Sequence, residues 1–286
     1  MNAENKNAKI AVIGAGQMGS GIAQVFATHG YDVKIYDISE KIFETSQKRI
    51  QNSLEKLKSK QLIDEKSEII FRRIVYQQNM EMLSDCDIFI ESAFENFSIK
   101  EDIFQKLSKI LKPMSFVASN TSSYSITALS QLIPYPDRFI GFHFMNPPPI
   151  MELVEVIKGL YTSEKTFSFF WKLAKELGKT PIASKNSPGF VLNRILIPMI
   201  NEAIYALYEG ISTADQIDAA MKLGANHPIG PLALADLIGL DTVLAILKTL
   251  QKELGENKYA PCPLLERYVA QKWLGKKTKK GFYEYE

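Results

Sequence analysis

Apolar positions along the first 184 residues follow two alternating rhythms. Short runs read as strands: AKIAVIG (8–14), YDVKIYD (31–37), RIVY (73–76), DIFIE (87–91), FVAS (116–119), RFIGFHF (138–144), MELVEVI (151–157) and TPIAS (180–184). Between many of them the spacing is helical. It predicts helices over 17–29, where Ile22, Val25 and Phe26 share a face, and over 39–60, where Phe43, Ile50, Leu54 and Leu57 form a stripe. Two more are predicted over 99–111 and 164–177. Strand alternating with helix argues for a mainly parallel sheet covered on both faces.

After Ser184 the strand rhythm stops. Helical spacing covers 189–208, 213–222, 232–254 with a break near Gly239, and 262–273. Ser187-Pro188 reads as the opening of the first of these, with Ser as cap and Pro at the first position. The expectation is an α/β class chain: a Rossmann-type domain over 1–186 and an all-α domain over 187–286.

Composition narrows the class of function. Lys plus Arg number 34 against 32 Asp plus Glu, so the formal charge of +2 gives no general reason to expect nucleic acid. The two cysteines, Cys86 and Cys262, are far apart and lack metal-ligand spacing, so neither a disulfide framework nor a metal site is expected. The polar opening MNAENKNAK has no signal-peptide core, and the most apolar run, 195–200, is short and contains Pro198. A cytoplasmic protein with no membrane partner is expected.

Gly14-Ala15-Gly16-Gln17-Met18-Gly19 is a G-x-G-x-x-G between a predicted strand and a predicted helix. Gly14 permits a tight turn, Gly16 admits a pyrophosphate close to the backbone, and Gly19 lets helix approach strand. The helix N-terminus, opening at Gln17 and Met18, offers N–H groups to phosphate. Asp37 ends the second strand, where a carboxylate accepts bonds from ribose hydroxyls and repels a 2′-phosphate, which favours NAD over NADP. Motif, context and acid coincide, which favours nucleotide binding over a turn that merely needs its glycines.

Three histidines allow elimination. His29 closes a helix before Gly30, where a cation suits the dipole, and His227 lies in the turn ANHPIGP. His143 ends a strand, the place where open α/β sheets hold ligands. Along MELVEVI, Glu155 shares a face with Leu153 and Ile157, so its carboxylate needs a partner, and His143 on a neighbouring strand is the candidate. Such a pair suits a base that removes a hydroxyl proton. A solvated strand-edge glutamate and a satisfied core histidine explain the pattern equally well at this point.

The chain resembles the L-3-hydroxyacyl-CoA dehydrogenases, including the 3-hydroxybutyryl-CoA dehydrogenases. Six ordered blocks carry the resemblance: IGAGQMGSGIAQVFA, ASNTSS (118–123), GFHFMNPPPIMELVEV (141–156), SPGFVLNRIL (187–196), MKLGANHPIGPLALADLIGLD (221–241) and LGKKTKKGFYEY (274–285). It implies that His143 and Glu155 form the catalytic pair, and that Ser122 and Asn193 hold the substrate beside His143. It places Asn146, Glu95, Lys100 and Ser122 near the nicotinamide, with Lys277 approaching the cofactor. Ser53 and Lys60, at the end of the long second helix, align with coenzyme A contacts, although a charge run such as KLKSK is ordinarily a solvated face.

The resemblance further implies reversible NAD-dependent oxidation of an L-3-hydroxyacyl-CoA, a short-chain one such as 3-hydroxybutyryl-CoA, in fatty-acid or butyrate metabolism. An acyl-CoA substrate lying between the domains is expected, as is a homodimer through the helical domain. The apolar stripes Ile195, Met199, Ala203 and Ala206, then Leu232, Leu234 and Leu237, exceed what so small a domain needs for its own core. The sequence departs from the family pattern at Met145, where Phe is frequent, and at Lys279 or Lys280, where glycine is common. The competing readings are a dehydrogenase acting on a CoA-free hydroxyacid, against which KLKSK argues, and a non-catalytic NAD-binding relative, against which the intact His143, Glu155, Ser122 and Asn193 argue.

Overall fold

The computed structural model describes residues 8–286. All but the last two residues of the polar opening stretch lie outside that range. The chain forms two compact units, one ending at Ser187 and one spanning Pro188–Glu286.

The first unit runs β1 (Ile10–Ile13), α1 (Gln17–Thr28), β2 (Val33–Tyr36), α2 (Glu40–Ser59), α3 (Ser67–Arg72), β3 (Ile74–Gln77), β4 (Ile88–Glu91), α4 (Phe97–Leu107), β5 (Phe116–Ser119), α5 (Ile126–Ser130), β6 (Phe139–Phe144), β7 (Leu153–Lys158), α6 (Glu164–Glu176) and β8 (Thr180–Lys185). Its eight strands lie in the order β3-β2-β1-β4-β5-β6-β7-β8. Neighbours are parallel except β6 and β7, so the last two strands run against the other six. This is the mainly parallel sheet that the alternating pattern predicts. Strand order reverses at β1, between β2 and β4, which makes the carboxyl end of β1 a topological switch point.

Every residue of β1, β4 and β5 is buried, as continuous apolar runs covered on both faces must be. One face packs Ile10, Val12, Ile88, Ile90, Phe142 and Val156 against Phe26 of α1 and Phe170 of α6. On the other, Phe139 meets Phe104 of α4 edge-on at 5.3 Å, and a Cβ on Gly141 would lie 2.8 Å from Ile126 of α5. The missing side chain at Gly141 is what lets α5 lie against β6.

Three local expectations needed revision. Helix α4 spans 97–107 rather than 99–111, because Asn96 accepts the Ile99 N–H and the Ser108 hydroxyl bonds the carbonyls of Phe104 and Leu132 at the far end. The short helices α3 and α5 were not anticipated. Ser187-Pro188 does not start a helix: Gly189 (φ 75°) and Phe190 (φ 50°) both take left-handed backbone conformations, so the chain turns. The Arg194 N–H bonds the Gly189 carbonyl at 3.1 Å, and the helix begins only at Leu192.

The second unit comprises α7 (Leu192–Tyr208), α8 (Ala214–Gly224), α9 (Pro231–Ile238), α10 (Leu240–Leu254) and α11 (Pro263–Ala270). Ile197, Ile200 and Ile204 of α7 meet Leu232, Val243, Leu247 and Leu265 in its core. Gly239, at φ 101°, makes the break between α9 and α10. The end of the chain folds back onto buried Asp236, whose carboxylate accepts the N–H groups of Phe282 and Tyr283 and the Tyr285 hydroxyl. Among the described residues no helix is long and apolar enough to cross a membrane.

Candidate active site

The loop from β1 into α1 is built for close approach. A Cβ on Gly14, at φ 109°, would sit 2.5 Å from the Ser92 carbonyl oxygen, and one on Gly19 would sit 1.8 Å from that of Gly14. Those two glycines serve packing. Gly16 differs: its Cβ would meet nothing within 4 Å, so its missing side chain opens a path to the backbone. Gly16 also caps α1 without any side-chain acceptor, which leaves the first-turn N–H groups for an anion. A dinucleotide phosphate fits this cradle.

Asp37 stands beside it. Its Oδ2 accepts the Ala15 N–H at 2.9 Å and its Oδ1 the Ser39 N–H at 3.1 Å, so the acid also braces the glycine turn. Each oxygen keeps a lone pair for ribose hydroxyls. Met18 is partly buried and packs against the core. The Gln17 side-chain amide donates to Asn146 Oδ1 at 3.0 Å, which joins the glycine turn to the segment after β6.

That segment directly follows His143. In the antiparallel β6–β7 pair His143 stands opposite Glu155, and opposite residues share a face. The Nδ1 to Oε2 distance is 2.8 Å, with His143 7% and Glu155 0% exposed. A carboxylate accepts only, so Nδ1 carries the proton it shares and Nε2 becomes the basic nitrogen. His143 is therefore the partner that Glu155 needs on its face of the strand. Asn120, which sequence reasoning missed, accepts the Phe144 N–H at 2.8 Å and ties the loop after β5 to the end of β6.

Glu95 organises that loop. Its Oε1 accepts the Thr121 hydroxyl at 2.5 Å, the N–H groups of Ser122 and Ser123 at 3.0 Å each, and the Ser123 hydroxyl at 2.7 Å. Its Oε2 faces Lys100 Nζ at 3.2 Å. Lys100 is 1% exposed and makes a second ion pair with buried Glu91 at 2.7 Å. Burial alone would raise the Glu95 carboxyl and lower the Lys100 ammonium. The opposite charges outweigh it, holding Glu95 below and Lys100 above their ordinary values. The structure thus brings Ser122, Glu95 and Lys100 together. Glu91, Ser119 and Thr121 join them without having stood out in the sequence. The apolar run ending in Glu91 was a signal, because an acid closing a buried strand needs partners.

Asn193 lies in the first turn of α7, and Lys277 pairs with Asp241, both within the second unit. On α2, Ser53 is half-buried and Lys60 caps the exposed end. Lys58, in the same charge run, is already bound to the Asp64 carbonyl at 2.5 Å.

An open glycine cradle after β1, an acid after β2 and a buried imidazole–carboxylate pair on β6 and β7 define a nucleotide-dependent dehydrogenase of the Rossmann type. The family model for the 3-hydroxyacyl-CoA dehydrogenase NAD-binding domain matches residues 9–187, and that for the C-terminal domain of the same enzymes matches 189–285. The chain belongs to the 3-hydroxyacyl-CoA dehydrogenase family, and its cofactor is NAD. A 3-hydroxybutyryl-CoA dehydrogenase of Bradyrhizobium diazoefficiens is 50% identical over 97% of this chain and 95% of its own length. The human mitochondrial hydroxyacyl-coenzyme A dehydrogenase is 40% identical over 96% of this chain and 90% of its own length. The crystal structure of an (S)-3-hydroxybutyryl-CoA dehydrogenase from Ralstonia eutropha superposes with a TM-score of 0.93 at 46% identity, covering 98% and 99% of the two chains.

Proposed function

We propose that this protein interconverts a short-chain L-3-hydroxyacyl-CoA, such as 3-hydroxybutyryl-CoA, with the 3-ketoacyl-CoA, using His143 and Glu155 as its base. The observation that carries the reading is the 2.8 Å buried His143–Glu155 pair, three residues before an asparagine bonded to the glycine turn. NAD, when bound, would supply the hydride acceptor. His143 Nε2 takes the hydroxyl proton. Glu155 fixes the imidazole tautomer and offsets its positive charge. Ser122 and Asn193 bond the reacting oxygen and the thioester region. Asn146, Glu95, Lys100 and Lys277 line the nicotinamide side, Gly14, Gly16, Gln17, Met18, Gly19 and Asp37 hold the rest of the dinucleotide, and Ser53 and Lys60 contact coenzyme A.

Residues 1–186 are assigned to the dinucleotide and 187–286 to substrate contacts and self-association. A homodimer is supported by exposed Ile195, Ile211, Leu223 and Leu237 in the second unit. A cytoplasmic location fits two buried cysteines that are unpaired. The deciding experiment compares NADH oxidation with acetoacetyl-CoA and with free acetoacetate. Turnover of the thioester alone supports the reading; equal rates favour the CoA-free alternative.

A further inference from the structure

One buried carboxylate near the site has no part in the proposed reaction. Glu91 ends β4 with 0% exposure and gathers three donors. The Lys100 ammonium and the Ala93 N–H reach Oε1 at 2.7 and 2.8 Å, and the Ser119 hydroxyl reaches Oε2 at 2.5 Å. Apolar residues in place of both Glu91 and Lys100 would avoid the cost of desolvating the two charges. A charge retained there calls for a reason beyond packing.

The reason lies in where its partners lead. Lys100 bridges to Glu95, and Glu95 grips Thr121, Ser122 and Ser123. The Ser119 hydroxyl, which donates its hydrogen bond to Glu91, accepts the Thr121 N–H at 3.2 Å. The Asn120 N–H, between them, donates to the Glu91 backbone carbonyl at 2.8 Å. Both side-chain routes from the Glu91 carboxylate therefore end on the loop that carries Ser122. Without the Glu91 charge, Lys100 would be attracted to Glu95 alone and would draw it inward, away from the loop.

We infer that Glu91 is a positioning residue, which sets the placement of Ser122 through the Lys100–Glu95 ion pair and the Ser119 hydroxyl. The inference rests on the reading of Ser122 as a substrate contact. The test is a double-mutant cycle of Glu91→Gln and Ser122→Ala, read as kcat/KM for acetoacetyl-CoA at saturating NADH.

Glu91→Gln alone should lower kcat/KM roughly ten- to a hundredfold. In the Ser122→Ala background the same change should cost several-fold less, leaving only what it does through Glu95 and Lys100 on the nicotinamide side. An equal factor in both backgrounds, or no effect in the first, overturns the positioning role. If Glu91→Gln does not fold, Ser119→Ala replaces it in the cycle with the same expected non-additivity. A wild-type enzyme inactive on acetoacetyl-CoA overturns the functional reading itself and this inference with it, a result distinct from an active enzyme with an additive cycle.

Discussion

His143 and Glu155 face each other across the one antiparallel pairing in the sheet of the first unit, with imidazole Nδ1 2.8 Å from the carboxylate. The pairing register, rather than any loop, sets this geometry. His143→Gln should therefore leave the fold intact and lower kcat by roughly 10²–10⁴-fold, the usual worth of a positioned base. NADH affinity, measured by fluorescence titration, should stay within about twofold. Near wild-type turnover with acetoacetyl-CoA would remove His143 from the role of base.

The glycine turn separates packing from binding. At Gly19 an added methyl would overlap the Gly14 carbonyl at 1.8 Å, so Gly19→Ala should cost several kcal/mol and show mainly as a lower Tm. Gly16→Ala adds its methyl to open space. It should fold with an unchanged Tm yet weaken NADH binding roughly tenfold or more in calorimetry. The reverse pattern would mean that Gly16 does not face the pyrophosphate.

Asp37 carries two duties, and its replacement should show both. Asp37→Ala removes the charge that repels a 2′-phosphate, so preference for NAD over NADP should fall roughly tenfold or more. It also leaves the Ala15 N–H without its acceptor, so KM for NAD itself should rise. An unchanged cofactor preference would contradict the ribose assignment.

The grip of Glu95 on the 121–123 loop has a defined pH window. Its carboxyl is held below the ordinary 4.5, so the stabilisation is present above that pH and is lost as pH falls through the lower, folded value. Lys100 is raised above 10.5, so its share is present below 10.5 and lost at still higher pH. Exchange protection of the Ser122 and Ser123 amides, corrected for intrinsic rates, should stay flat from about pH 5 to 8 and fall below 4.5. Loss of protection between pH 5 and 7 would assign the control to another group.

Lys279 occupies the left-handed region at φ 59°, where a side chain is strained and glycine is not. Lys279→Gly should stabilise the protein by about 0.5 kcal/mol, after the greater chain entropy of glycine is counted. A rise of roughly 1–2 °C in Tm would be the measurement. A lower Tm would mean that the lysine side chain stabilises the fold by more than the strain costs.

What could be read from sequence follows physical range. The central strands β1, β4 and β5 announced themselves because burial on both faces demands continuous apolar runs. Glu155 was findable because a two-residue period placed a charge among aliphatics. Lys100 was different: a buried lysine contradicts its usual surface habit, and its partner Glu91 lies nine residues away on another element. Helices α3 and α5, of six and five residues, are too short for periodicity to register. The Ser-Pro signal at 187–188 failed because the two left-handed residues that follow outweigh a local cap preference.

The imidazole and its carboxylate are twelve residues apart on a single hairpin, so the machinery that accepts the proton travels as one short stretch of chain. A chimera assembled from related enzymes, with junctions outside 143–155, should inherit that machinery whole. A one-residue deletion inside β7 ahead of Glu155 would instead turn the carboxylate toward the opposite layer of the sheet and abolish it.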